Sequence, residues 1–297
     1  MAPFVLATIV LALTAAPLHP QETQDVEIQT VRVADNVYML MGRGGNIGVS
    51  VGEDGVFLVD DQYAPLTDKI LAAVREISDR PIRFVINTHW HGDHTGGNEN
   101  MGKAGAVIVA HENVRVRMST EQFLSTFNRR TPPSPPGALP VITFTDAVTF
   151  HWNGDSIRVF HVEPAHTDGD AVIHFTKANV IHMGDIYFAG RYPFIDSDAG
   201  GTIDGVITAV EAGLRIAASD TKIIPGHGQL SDVEELRDYG RMLSAVRDKV
   251  TALIAQGRSR DEVIAAKPSQ EFDADWGGGS FQPDQWIGIV YDGLVRK

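Results

Sequence analysis

Residues 87–97 read Asn-Thr-His-Trp-His-Gly-Asp-His-Thr-Gly-Gly, directly after the apolar run 82–86. It brings His89, His91, Asp93 and His94 close together along the chain. Ionisable side chains are costly to bury unless they are paired or coordinate a metal. The first two histidines can converge on one cation, and the Asp-His pair can reach a second cation beside it. Because the glycines let the backbone turn tightly, the stretch predicts a site for two metal ions.

The elements around this stretch predict an α/β fold. The motif follows the apolar run 82–86, so we expect it at the end of a buried strand. The other predicted elements are strands within 26–60, 107–109 and 148–184, and helices at 65–78, 112–128, 203–218 and after Ser231-Asp232. Strands followed by a helix occur twice, which indicates two sheets packed together with helices outside them.

Three further candidate ligands lie downstream of the motif. His166 lies in a predicted turn, Asp185 ends the apolar run 180–184, and His227 follows a short strand. Each of them comes near the end of an apolar strand and has glycine close by. A lone histidine is more often simply hydrogen-bonded than bound to a metal. These residues are therefore candidate ligands only when they are considered as one set.

Four short runs of this sequence resemble the metallo-β-lactamase superfamily over roughly residues 30–230. They are His-Trp-His-Gly-Asp-His at 89–94, Ala-His-Thr-Asp-Gly-Asp at 165–170, Met-Gly-Asp at 183–185 and Pro-Gly-His-Gly at 225–228. The resemblance implies a four-layer αββα sandwich with two zinc ions at one edge between the sheets. The first zinc would be bound by His89, His91 and His166, the second by Asp93, His94 and His227, with Asp185 binding the second or bridging both. Asp60 would orient the histidine loop from behind the ligands.

The resemblance also implies a hydrolase in which a metal-bound hydroxide attacks a carbonyl carbon of a small substrate, with Asp93 and Asp185 as catalytic residues. A β-lactam or a related amide or ester is the first expectation. Asp185 stands where the zinc β-lactamases of this type place a cysteine, however, and this is typical of glyoxalase-II-like thioesterases and lactonases. An oxygen ligand also makes manganese or iron tolerable beside zinc. A non-catalytic metal-binding protein is the remote alternative.

The sequence indicates substrate-binding residues less specifically than it indicates metal ligands. Related β-lactamases commonly have a lysine where this chain has Phe188, and Arg191 could replace it. Arg43 and Tyr187 are further candidates, whereas Trp90 is expected to pack under the loop. Residues 112–140 are predicted to form a lid, in which a helix carrying Phe123 and Phe127 precedes a rigid proline-rich surface loop.

Composition limits the partners of the protein. The chain has 297 residues, no cysteine and a formal charge of −13. Disulfides and thiolate ligands are therefore excluded, and a polyanion such as nucleic acid would be repelled. A small-molecule substrate is expected, and the sequence gives no signal for an oligomeric state.

The N-terminus predicts export. Residues 4–18 are almost entirely apolar but too few to span a bilayer, which suits the core of a secretory signal. The alternatives are a buried first helix or a wrongly assigned start codon. We therefore expect a signal in residues 1–24, one hydrolase domain over 25–297, a periplasmic location and no stable membrane span.

Overall fold

The computed structural model describes residues 25–296, so the predicted secretory signal lies outside the described residues. The strands are β1 (Gln29–Arg32), β2 (Val37–Met41), β3 (Ile47–Ser50), β4 (Val56–Val59), β5 (Ile82–Ile86), β6 (Val107–His111), β7 (Gln122–Leu124), β8 (Arg129–Thr131), β9 (Ile142–Phe144), β10 (Ala147–Trp152), β11 (Asp155–His161), β12 (Ala171–Phe175), β13 (Val180–His182), β14 (Lys222–Ile224) and β15 (Ser231–Asp232). The helices are α1 (Thr67–Ile77), α2 (Gly92–Thr95), α3 (Asn98–Lys103), α4 (Glu112–Met118), α5 (Ile203–Ile216), α6 (Val233–Ala255), α7 (Arg260–Ala265), α8 (Asp273–Trp276) and α9 (Pro283–Val295).

The strands form two large sheets and a small hairpin. The first sheet has the order β1-β2-β3-β4-β5-β6-β9, and the second has the order β10-β11-β12-β13-β14-β15. Strands β4, β5, β6 and β9 run parallel, as do β13 and β14, while the other neighbours are antiparallel. Strands β7 and β8 pair only with each other.

Side chains that alternate along the strands build the layers. In β4, Phe57 and Val59 point into the apolar layer between the two sheets, while Val56 and Leu58 point away from it. Strand β12 does the same from the other sheet, with Ile173 in the middle layer. A strand that is buried on both faces reads as a continuous apolar run, which is how β4 appears in the sequence.

Helices cover the outer faces of both sheets. Ile70 and Val74 of α1 pack on the first sheet, and helices α5, α6 and α9 cover the second. Helix α6 begins where the sequence predicted, because the Asp232 side chain accepts hydrogen bonds from the backbone N–H groups of Glu234 and Glu235. The predicted αββα sandwich is thereby confirmed.

The predicted helix over 112–128 is wrong beyond Met118. The hydroxyls of Ser119 and Thr120 both donate to the carbonyl of Val116 and end the helix. The chain then forms the β7–β8 hairpin, whose turn has Asn128 at a φ of 47°.

The segment predicted as a lid is α-helical only as far as Met118. Its proline-rich part is held against the sandwich, because the Asn98 amide donates to the carbonyl of Ala138. Among the described residues, no helix combines the length and the apolarity needed to cross a membrane.

Candidate metal centre

All seven predicted ligands lie at one edge of the sandwich, where strands of both sheets end. The histidine motif follows β5, and Asp185 and His227 come shortly after β13 and β14. His166 precedes β12, which pairs with β13. Loops at the ends of buried strands can carry polar side chains without disturbing the core, and here two sheets direct such loops to the same place.

The first group of ligand atoms comes from His89, His91, His166 and Asp185. Nδ1 of His91 lies 3.1 Å from Nε2 of His89 and 2.9 Å from Nε2 of His166. The Oδ2 atom of Asp185 lies 3.8 Å from the His89 nitrogen and 3.6 Å from the His166 nitrogen. All four residues are buried.

The second group comes from Asp93, His94 and His227. Nε2 of His227 lies 3.3 Å from Oδ2 of Asp93 and 3.4 Å from Nε2 of His94. Asp185 also reaches this group, since its Oδ1 lies 3.1 Å from the His94 nitrogen and its Oδ2 lies 3.4 Å from the His227 nitrogen. The carboxylate of Asp185 therefore stands between the two groups.

The donor atoms fit metal ions. Burial lowers the pKa of His166 to about 4 and also lowers the pKa of His89, so these imidazoles are neutral and offer lone pairs. Burial also opposes protonation of His227, but Asp185 and Asp93 still raise its pKa to about 9, which shows a field that attracts positive charge. Oδ1 of Asp185 is buried and accepts no hydrogen bond of good geometry. Such a cluster of buried lone pairs is costly unless cations bind it.

Asp60 lies where the resemblance placed it, behind the histidine loop. Its Oδ1 accepts from the backbone N–H of Thr88, and its Oδ2 lies 2.8 Å from both the Thr88 hydroxyl and Nδ1 of His94. The hydrogen bond at Nδ1 leaves Nε2 of His94 free to face the other ligands. Asp60 has a φ of 64°, which is uncommon for a residue other than glycine and is consistent with a functional constraint.

Two other carboxylates, which were not among the predicted site residues, hold candidate ligands in place. Oδ2 of Asp196 lies 2.9 Å from Nε2 of His91, and Oδ2 of Asp170 accepts the backbone N–H of His166. Asp170 is the last residue of the run 165–170 that resembles the family, so the sequence contained a signal for it. Asp196 belongs to none of the four runs, and no sequence pattern indicated it.

A cavity of about 320 Å³ opens beside the ligands. Its walls include His91, Asp93, Asp185 and His227 together with Tyr63, Leu124, Phe127, Arg129, Phe188, Arg191, Tyr192, Phe194, Ser280 and Phe281. The Phe188 ring stacks on the His227 ring at 5.1 Å between centroids. Volume and lining suit a small organic molecule with apolar parts.

The three candidate substrate contacts fall in different places. Arg191 lines the cavity. Tyr187 is buried away from it, with its hydroxyl 2.8 Å from that of Ser231 and its ring against Tyr239. Arg43 is exposed and is not part of the cavity wall. Trp90 is buried beside the loop, in the packing role expected for it.

Comparisons with known proteins agree with this architecture. The family model described as the metallo-beta-lactamase superfamily matches residues 40–238. Similar curated proteins include the lactamase-like protein aptB of Emericella nidulans (23% identical, 73% of this chain, 65% of the relative), a linear primary-alkylsulfatase of a Pseudomonas species (23%, 71% and 47%) and a hydroxyacylglutathione hydrolase of Pelagibacter ubique (24%, 55% and 56%). This chain thus spans only about half to two thirds of the length of these relatives.

Solved structures show the same fold. A metallo-beta-lactamase from Pontibacter korlensis superposes with a TM-score of 0.59 at 17% sequence identity, over 73% of this chain and 99% of the other. The family match and the His/Asp cluster agree on a candidate metal centre at this edge of the sandwich. The chain belongs to the metallo-beta-lactamase superfamily.

Proposed function

We propose that this protein is a binuclear zinc hydrolase that cleaves a carbonyl-containing bond of a small substrate. The position of Asp185 carries the proposal, because its two oxygens reach ligand nitrogens of both groups. Three imidazoles with a further open position form the usual catalytic zinc shell, and the first group supplies them. The second group lies directly beside the first and offers a carboxylate and two imidazoles.

Two bound zinc ions would supply a water of lowered pKa as the nucleophile and would polarise the carbonyl oxygen. The protein residues position the candidate ligands and exclude water from the site. Asp185 sets the distance between the two groups, and Asp60 and Asp196 fix which nitrogen of His94 and of His91 faces the site. The aromatic ring of Phe188 shields one side of His227 and makes the site drier, which strengthens electrostatic interactions there.

A β-lactam or a related amide or ester is the substrate class that we propose first. A thioester or a lactone is the second candidate, favoured by the oxygen ligand Asp185 in place of a thiolate and by the similarity to a hydroxyacylglutathione hydrolase. These classes share an attack on a carbonyl carbon and differ in the leaving group, so one catalytic site could serve either.

Metal analysis combined with a substrate panel tests the proposal. The protein should bind two zinc ions per chain, and chelation should abolish turnover until zinc is restored. A single equivalent at saturation would refute the binuclear site, and full activity without metal would refute the mechanism. Values of kcat/KM for a penicillin, a glutathione thioester, a lactone and an alkyl sulfate then decide the bond type. Turnover of only the alkyl sulfate would contradict a carbonyl substrate.

We further propose that the protein is exported to the periplasm, which the apolar run at residues 4–18 supports. N-terminal sequencing of the mature protein from a periplasmic extract tests this. The proposal predicts a start between residues 17 and 25, and an intact Met1 in the cytoplasmic fraction would contradict it.

A further inference from the structure

The β7–β8 hairpin forms one wall of the cavity beside the ligands. Its turn places Phe127 against Phe194 and Phe281, with ring centroids 5.0 and 5.9 Å away. Phe194 and Phe281 also stack on each other at 5.8 Å. Three separate segments of the chain thus build one aromatic wall, and Phe127 remains 39% exposed on it. A wall of this kind suits an apolar or aromatic part of a ligand.

The same cavity contains two cationic side chains, Arg129 from the hairpin and Arg191 from the segment after Asp185. Neither guanidinium forms an ion pair with a carboxylate anywhere in residues 25–296. The Nε atom of Arg129 is buried and has no hydrogen-bond partner there. A buried guanidinium N–H without an acceptor is costly, so its presence at a cavity wall indicates an acceptor supplied by a ligand.

The neighbouring arginine on the hairpin behaves differently. Arg130 points outward with 69% of its side chain exposed, and it pairs with Glu121 at 2.7 Å and lies over the ring of Phe123. Adjacent residues of a strand face opposite sides, so only Arg129 is directed into the cavity. In a chain with a formal charge of −13, two cavity arginines without carboxylate partners form a local site for negative charge.

We propose that Arg129, assisted by Arg191, binds a carboxylate of the substrate while the aromatic wall of Phe127, Phe194 and Phe281 receives its apolar part. The substrate class is then an amphiphilic carboxylate whose scissile carbonyl lies at the metal ligands. Arginine suits this role because its planar fork matches the two oxygens of a carboxylate. The orientation of the substrate rests on the proposed hydrolase function, but binding of the carboxylate can be measured without turnover.

Calorimetry on the zinc-loaded protein with phenylacetate and phenylacetamide as probes tests this proposal. The two probes share an aromatic ring and differ in charge. Arg129→Gln should weaken phenylacetate binding by about tenfold and leave phenylacetamide binding unchanged. Phe127→Ala should weaken both probes. Arg130→Gln is the matched control on the same hairpin and should change neither affinity.

Three results would overturn the proposal. Unchanged phenylacetate binding in Arg129→Gln would show that the carboxylate binds the metals and not the arginine. An equal loss for both probes would indicate a general disturbance of the wall, and an equal loss in Arg130→Gln would indicate a long-range charge effect. Since none of these measurements requires turnover, an inactive but carboxylate-binding protein would refute the hydrolase proposal alone.

Discussion

The metal ligands and the hairpin wall of the same cavity are held in very different ways. Imidazoles of the first group are held by buried partners. His91 contacts the carboxylate of Asp196, and His166 contacts the carbonyl of Phe194. The hairpin consists of two strands of three residues that pair with no other strand. Short elements with few buried contacts open at low free-energy cost. Buried hydrogen bonds therefore fix the candidate metal ligands, while the wall that we propose to bind the substrate can adapt.

The largest expected effect comes from breaking the link between the two metal groups. Asp185→Asn should lose at least one zinc equivalent, because a neutral amide does not replace a carboxylate that serves two groups. A metal ion contributes several kcal/mol to transition-state stabilisation, so kcat/KM should fall on the order of a thousandfold. Metal analysis and steady-state kinetics on the same preparation check this.

Asp155→Asn is the matched control for that variant. Asp155 is also buried, but it accepts the backbone N–H groups of Lys177 and Ala178 at a turn of the second sheet. This variant should lose stability and retain two zinc ions. If both variants lost the same amount of zinc, the loss would reflect reduced stability of the protein and not the removal of the Asp185 carboxylate.

A smaller effect is expected when one orienting carboxylate is removed. Asp196→Ala leaves His91 free to rotate and should weaken zinc binding by roughly 10–100-fold. Competition with a chromogenic chelator measures the affinity. Asp198→Ala, two residues along, should leave zinc affinity unchanged because Asp198 contacts the hairpin and not a ligand. Equal zinc affinity in wild type and Asp196→Ala would show that the His91 contact is dispensable.

The clustering of the seven candidate ligands could be predicted from the sequence because they obey a local rule. Each one follows or precedes an apolar strand, and strand ends of packed sheets meet at one edge. The resemblance of four runs to the superfamily joined the motif at 89–94 to His166, Asp185 and His227. Asp196 could not be found in this way. It lies in a loop without a motif, and its contact with His91 spans 105 positions.

The hairpin was mispredicted for a related reason. Residues 112–128 carry no strong strand alternation, so the sequence predicts a helix that continues past its actual end at Met118. Local hydrogen bonds from Ser119 and Thr120 to Val116 decide where it ends. The cavity role of Arg129 depends on which face of an irregular hairpin it occupies, and propensity alone does not determine that.

Excising the hairpin should alter substrate selection without affecting the metals. Replacement of residues 123–130 by two glycines retains the ends of the hairpin, since Gln122 pairs directly with Thr131. The aromatic wall and Arg129 would be lost, so KM for an aromatic carboxylate substrate should rise about tenfold, the typical size of losing a charged hydrogen bond. Zinc content should stay at the wild-type value. Loss of zinc would show that the hairpin supports the metal edge after all.

The smallest expected effect concerns the tether of the hairpin. Asp198 accepts the backbone N–H of Ser125 at 2.6 Å and pairs with Arg296 at 2.9 Å. Burial opposes ionisation of Asp198, but these hydrogen bonds outweigh it and lower its pKa. The carboxylate tether is therefore complete above the ordinary aspartate range and is lost only as the pH falls through the lowered pKa.

Asp198→Ala should raise KM by roughly 2–10-fold, because one hydrogen bond contributes about 0.5–1.5 kcal/mol. It should leave kcat and zinc content unchanged, and hydrogen exchange of the hairpin amides should become faster while exchange in β5 does not. Arg296→Ala removes the partly exposed ion pair and a hydrogen bond to the Ser197 hydroxyl, and it should change KM less. If Arg296→Ala had the larger effect, the contacts of Arg296, and not the bond to Ser125, would hold the wall in place.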